Sequence, residues 1–348
     1  MITTTRDANG DLWADTDPHG EGRRNQWARR RRARAIAYIV APGRAATEES
    51  PLKRLKSCGR AKKPDVVLRV HNGVAHATGL MACGNIWTCA TCSARIRARR
   101  ETEMQRALAQ HCTNGGQLGM MTLTLRHHKG DSLTQSIEKL NDSWARIQRY
   151  HRYKQLHSLL TGSIATLEIT LGENGWHPHL HIILLAKPDV THDDVRDATD
   201  VLRSGWSNLV NRLTDRYSIA HGLNLVWFGR DSAAAAKYAT KIAKEMTLTS
   251  SKKGNDPLAL LDRDDDEATA LFIEYAYATY RRQCHRWSNG LKAALNTEEL
   301  TDEKINEDNE TVGVEVLTIS RELWNSINDT ERIAWLEFAE TQHRYASP

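Results

Sequence analysis

Two strand-like runs, residues 163–171 (SIATLEITL) and 177–185 (HPHLHIILL), are joined by Gly172-Glu173-Asn174-Gly175, with Trp176 just before the second run. A short glycine-bounded link between two such runs is a hairpin signal, and it restricts the fold more than any other feature of the chain. Side chains alternate between the faces of a strand, so His179 and His181 share one face and Leu180 takes the other. A turn centred on Glu173 and Asn174 sets Glu168 opposite His179. Cross-strand β-carbons on one face lie roughly 5 Å apart, close enough to share an ion. Two neutral imidazoles and a carboxylate form a divalent-metal set with open positions for substrate oxygens. Such an ion can polarise a phosphate under attack. His177 has the same parity and is read as a supporting or substrate-contacting residue.

Periodicity organises the segments around this hairpin. Helices are expected over 97–112, 133–150, 193–211, 231–246, 267–283 and 320–338, and strands over 118–125 and 223–228. In the helix over 133–150, Ile137, Leu140, Trp144 and Ile147 are spaced for one buried face. The stretch 1–26 lacks periodicity and is expected to be disordered, and the acidic stretch 298–310 reads as a linker.

The helix over 231–246 contains Lys237-Tyr238-Ala239-Thr240-Lys241. Tyr238 and Lys241 are three apart and lie on one helix face. A phenol must lose its proton to attack phosphorus, and its ordinary pKa near ~10 opposes that at neutral pH. A nearby cation and a lysine both favour the phenolate, and the lysine can also bind phosphate.

Four of the six cysteines, Cys58, Cys83, Cys89 and Cys92, fall in one stretch spaced C-x24-C-x5-C-x2-C. Four thiolates suit a tetrahedral structural zinc, with His71 and His76 inside the long gap as rival ligands. Cys112 and Cys284 have no partner by spacing. The net charge of +5 hides a polarity, since the first third is basic and the end of the chain acidic. A basic front suits a polyanionic partner. The run Arg29 to Arg32 with Arg34 is either a phosphate-contacting helix start or a solvated face, and Arg95, Arg97, Arg99 and Arg100 can line a helix face for phosphates. The acidic end is expected to regulate or to bind protein. No long apolar run or secretory pattern is present, so the expectation is a cytoplasmic protein with no membrane partner.

Taken in order, these motifs resemble the HUH endonuclease superfamily, and within it the replication initiators (Rep) of rolling-circle plasmids from Gram-positive bacteria, particularly the actinomycete type. The resemblance covers about residues 52–295. Thr122-Leu123-Thr124 looks like the first motif, with a structural or substrate-positioning role. Residues Gly175 to His181 look like the metal-binding motif, and Lys237 to Lys241 like the nucleophile motif. Arg286-Trp287-Ser288-Asn289-Gly290-Leu291 resembles a Trp-Ser-x-Gly-Leu element of these Reps. What the resemblance implies is nicking of plasmid origin DNA with Mg²⁺ or Mn²⁺, a 5′-phosphotyrosyl link through Tyr238, later strand transfer, and a host helicase and polymerase as partners. It also implies that the cysteine region helps DNA binding. Some relatives carry a glutamate one turn before the tyrosine to activate water; here that position is Ala234, for which Asp231 or Glu245 can substitute.

The expected fold class is α+β: an HUH-like central antiparallel sheet with flanking helices, an N-terminal zinc-binding module and a C-terminal helical extension. The expected divisions are a basic arm (1–50), a four-cysteine module (51–112), a nicking domain (113–295) and an acidic linker with a helix (296–348). An HUH transposase or relaxase is the nearest alternative, although a relaxase places its tyrosine before the histidines. A non-catalytic zinc-bearing DNA-binding regulator is the alternative of a different class.

Overall fold

The computed structural model describes residues 5–6, 12–13, 21–40, 50–214, 222–229, 256–297, 301, 305 and 312–346. Its contacts group into two units, one of residues 1–99, 260–276 and 300–348, the other of 100–259 and 277–299. The expected helix over 231–246, with Tyr238, Lys241, Ala234, Asp231 and Glu245, lies outside the described residues. Among the described residues, no helix is long and apolar enough to cross a membrane.

In the first unit β3 (Asp65–His71) and β4 (Val74–Thr78) form a hairpin through Asn72 and Gly73. Both turn residues have positive φ, 50° and 78°, which matches the twist of a two-residue hairpin. Strand β10 (Val314–Ser320) pairs antiparallel with β3 on its other edge. Residues of β3 alternate outward and inward, and Val66, Leu68 and Val70 are buried with Ile319, Trp324, Leu336 and Trp27. Those last residues come from β10, α8 (Arg321–Ser326), α9 (Asp329–Ala346) and α1 (Glu21–Val40). The isolated pair β1 (Thr5–Arg6) and β2 (Leu12–Trp13) adds two short strands among the described residues of this unit.

Several expectations are corrected here. Helix α1 begins at Glu21, so residues 21–26 are ordered rather than disordered. The C-terminal segment is no simple helical extension. The helix expected over 320–338 is two helices, α8 and α9, preceded by a strand. That strand, VEVLTIS, has β composition but finds its partner only in β3, far back in the sequence.

The second unit is a five-stranded antiparallel sheet in the order β8-β5-β7-β6-β9. Its strands are β5 (Gln117–Thr124), β6 (Leu160–Gly172), β7 (Gly175–Ala186), β8 (Leu223–Gly229) and β9 (His285–Trp287). One face carries Met121, Leu123, Leu180, Ile182 and Leu184, all buried, on the side where α3 (Leu133–Ile147) packs on β7. Helices α4 (His151–Ser158) and α5 (His192–Thr214) pack on α3 and on each other. The apolar face expected for α3 is the buried one, and Ser132 caps it by accepting from Gln135 N. The helix expected over 133–150 ends at Ile147, because Tyr150 turns extended (φ −70°, ψ 143°) to start α4.

The opposite sheet face is divided along its length. At one end Leu118, Ile164, Ile183 and Leu185 pack under Met104, Ala107 and Leu108 of α2 (Ala90–Thr113), and under Leu291 of α7 (Leu291–Ala294). At the other end the same alternation yields His181, His179 and His177 on β7 and Thr122 and Thr124 on β5. Helix α6 (Asp266–Thr279) replaces the helix expected over 267–283. It stops before Arg281, whose φ is 57°. Helix α2 starts seven residues earlier than expected, because Asn85 Oδ1 accepts from Trp87 N and Thr88 N and turns the chain into the cysteine knuckle.

Candidate functional site

The hairpin closes with the expected register. Glu168 pairs with His179, Thr166 with His181 and Thr170 with His177. Strand β5 flanks the other side of β7 and sets Thr122 against His181 and Thr124 against His179. Each threonine Oγ1 lies 3.1 Å from Nδ1 of the histidine opposite. His181 Nε2 donates to Glu168 Oε2 at 2.7 Å. The turn needs a glycine at 175, where φ is 89° and an added β-carbon would lie 3.2 Å from Lys129 Cα.

Four imidazoles line this face in sequence. His127 stacks on His177 with 4.0 Å between ring centroids, His177 lies 3.8 Å from His179, and His179 lies 5.8 Å from His181. Burial lowers the pKa of His177 to about 3, with help from His179 and His127. Burial also lowers His179 to about 4, opposed by the Glu168 carboxylate and reinforced by His181 and His127. Both rings are therefore neutral at pH 7, the form that offers a lone pair to a metal.

Two members of this face escape the sequence reading. His127 follows the β5 strand, where no pattern marks it. His285 sits on the three-residue β9, too short to show alternation, with Nδ1 2.8 Å from Thr166 Oγ1. Directly after it, the Trp-Ser-x-Gly-Leu element locks the sheet edge. Ser163 N donates to Ser288 Oγ and Ser288 N donates to Ser163 O, while Leu291 enters the core. Gly162 leaves room for this closure, because a β-carbon there would lie 2.6 Å from Ser288 Oγ and 2.8 Å from Leu291 Cδ1.

The four cysteines meet in the first unit, all buried. Cys58 Sγ is 3.7 Å from both Cys89 Sγ and Cys92 Sγ, and Cys83 Sγ is 3.6 Å from Cys92 Sγ. A tetrahedron with Zn–S bonds of about 2.3 Å has edges of about 3.8 Å, so the sulfurs already stand close to the corners of one. Hydrogen bonds from Cys83, Cys89 and Cys92 draw the Cys58 thiol well below its usual range, and contact with Cys58 drives Cys83 and Cys89 well above theirs. His71 and His76, the rival ligands, lie on the β3–β4 hairpin and outside this sulfur group. Cys284 Sγ lies 3.8 Å from Leu167 O.

Most of the α1 arginines are not an open phosphate-binding row. Arg23 pairs with Glu340 and Arg24 with Glu337, while Arg29 pairs with Asp262 and Arg32 with Asp264. Buried Arg30 reaches Asp329 at 3.5 Å. The acids of α9 are thus engaged within their own unit. In the second unit Arg100 is held by Glu103 at 2.8 Å, which also binds Lys292 at 2.6 Å.

Residues 82–217 match the family model described as replication protein. Over that stretch, about two fifths of its length, the chain is similar to replication (Rep) proteins. Among its relatives are a protein rep of Streptomyces lividans, 32% identical over 34% of this chain and 33% of that protein, and a protein rep of Lentilactobacillus hilgardii, 27% identical over 45% and 50%. A protein of Streptomyces cyanogenus named neomycin resistance protein is 30% identical over 34% of each chain. The chain spans a third to a half of the length of these curated relatives. No solved structure matches. The family match takes in Cys83, Cys89, Cys92, Thr122, Glu168, His179 and His181, and ends before Tyr238.

The two candidate metal sets differ in readiness. Among the described residues the four cysteines are the set whose ligand atoms all lie within 4.8 Å of one another, and they can hold an ion such as zinc. Glu168, His179 and His181 do not reach that separation. Their chemistry still fits a divalent cation, with one carboxylate, one neutral imidazole and a second imidazole whose Nε2 already points at the carboxylate.

Proposed function

We propose that this chain is a rolling-circle Rep protein that initiates replication by nicking plasmid origin DNA, with Tyr238 as nucleophile. The observation that carries the reading is Glu168, His179 and His181 gathered on one half-buried end of a sheet face, within a segment that matches the replication protein model. In this reading Glu168, His179 and His181 hold Mg²⁺ or Mn²⁺, which when bound withdraws charge from the scissile phosphate. The Tyr238 oxygen attacks phosphorus and the bond to the 3′ oxygen breaks. That oxygen leaves as a 3′-hydroxyl with the proton the phenol gave up, and a 5′-phosphotyrosyl link remains. Lys241, one turn along the expected helix, favours the phenolate and binds the phosphate. A 3′-hydroxyl then attacks phosphorus of the link, the tyrosyl oxygen–phosphorus bond breaks, the tyrosine oxygen takes the proton back and the displaced strand is closed. A host helicase and polymerase act on the nicked circle in the cytoplasm. Zinc on Cys58, Cys83, Cys89 and Cys92 holds the first unit as a DNA-contact module.

The test is incubation of supercoiled origin DNA with the protein and Mn²⁺. A nicked circle with protein on its 5′ end is expected, and Tyr238→Phe abolishes it. A Tyr238→Phe protein that nicks normally removes the tyrosine from the mechanism. His179→Ala and His181→Ala are expected to stop cleavage while leaving duplex binding in place, and loss of binding in both would make the histidines parts of the fold.

A further inference from the structure

We propose that Thr122 and Thr124 are positioning residues that hold His181 and His179 in the ring form whose Nε2 can ligate a divalent cation. This role rests on the metal reading given above. The sheet pairs each threonine with one histidine, Thr122 with His181 and Thr124 with His179. Both contacts run from Oγ1 to Nδ1, and both are 3.1 Å long. A neutral imidazole carries one proton, so whether Nδ1 donates or accepts decides what Nε2 can do. When Nδ1–H donates to the threonine oxygen, Nε2 keeps its lone pair.

The hydroxyl matters because the bond must run in both directions. Without a cation, His181 Nε2 donates to Glu168 Oε2 at 2.7 Å, so a neutral ring accepts at Nδ1 from the Thr122 hydroxyl. With a cation on Nε2, Nδ1 carries the proton and the same hydroxyl accepts. A hydroxyl turns from donor to acceptor by rotating its hydrogen, without moving a heavy atom. Valine has the same shape and the same strand preference, but it can do neither. A purely structural β5 would therefore tolerate valine at both places, whereas a positioning β5 would not. The same sheet supplies a comparison: Thr166 on β6 lies directly across from His181, but its hydroxyl contacts His285 Nδ1, at 2.8 Å, and not the His181 ring.

The experiment is Mn²⁺ titration of the full chain, read by the electron spin resonance of free Mn²⁺, with His181→Ala defining the site. Thr122→Val and Thr124→Val are expected to weaken Mn²⁺ binding about 10- to 100-fold, the usual effect of removing a partner behind a metal ligand. Thr122→Ser and Thr124→Ser keep binding, and Thr166→Val leaves it unchanged. Valine variants that bind like the wild type overturn the proposal. So do serine variants that fail like valine, or a Thr166→Val as weak as the others, because each points to packing rather than to the hydroxyl. If His181→Ala binds Mn²⁺ like the wild type, the metal reading itself falls and this role falls with it. A second measurement needs no variant: imidazole ¹⁵N spectra of the wild type with Mg²⁺. Protons on Nδ1 of both rings support the proposal, and protons remaining on Nε2 overturn it.

Discussion

At the scale of single residues, the histidine face joins neutral rings to a carboxylate, and its acid response follows from that. His179 is lowered to about 4 and His177 to about 3, against an ordinary value of 6.5. Between pH 6.5 and about 4 the unfolded chain binds protons at these rings that the folded chain refuses. Stability is therefore highest above pH 6.5 and falls as the pH drops through that window. Metal-free protein should show a melting temperature that declines from pH 7 to pH 5, with a shallower decline in His179→Asn. An equal slope in the variant would remove His179 from the account. This face was largely legible in the sequence, because strand alternation and a four-residue link fix who faces whom across a hairpin. His285 was not, since its place depends on β9 reaching β6 more than a hundred residues away.

At the scale of elements, the sheet edge shows how a short motif acts through packing. Ser288 and Leu291 fill the space above Gly162, which has no side chain to meet them. Gly162→Ala should destabilise the second unit by about 1–3 kcal/mol, the usual range for forcing a methyl into a filled site, as measured by urea denaturation. A neutral effect would mean that the edge can open without loss. The cysteine knuckle is a second case. Its four sulfurs come from the turn after residues 53–57, the loop after β4 and the start of α2. Cys58→Ser or treatment with a strong chelator should lower the melting of the first unit and leave the sheet of the second in place. A single unchanged transition would show that these thiols carry no ion. The spacing announced this cluster but could not choose between cysteine and His71 or His76, because that choice depends on which side chains the β3–β4 hairpin directs away.

At the scale of the whole molecule, charge is arranged by distant pairing. Arg30 and Asp329, 299 residues apart, are both almost fully buried, and Asp329 also takes Arg332 at 2.6 Å. Removing one partner of a buried pair leaves a charge without compensation, so Asp329→Ala should cost about 3–5 kcal/mol. Arg24 and Glu337 are 58% and 40% exposed, and water screens them, so Glu337→Ala should cost under about 1 kcal/mol. Comparing the two in chemical denaturation checks the argument, and equal losses would refute it. Composition alone showed a basic beginning and an acidic end, and it invited two separate roles for them. The structure instead pairs α1 with α9 in one unit.

What the sequence determined by itself is local: the hairpin register, the shared face of Glu168, His179 and His181, the buried stripe of α3 and the grouping of four cysteines. Each of these depends on spacing within a few tens of residues, where strand and helix periods leave little freedom. Tertiary structure alone decided that Thr122 and Thr124 stand behind the histidines, that β10 completes a sheet begun near residue 65, and that the α1 arginines are met by acids from far along the chain. Those contacts join segments whose own patterns are satisfied by many partners, and only the burial of apolar faces and the pairing of charges selects among them.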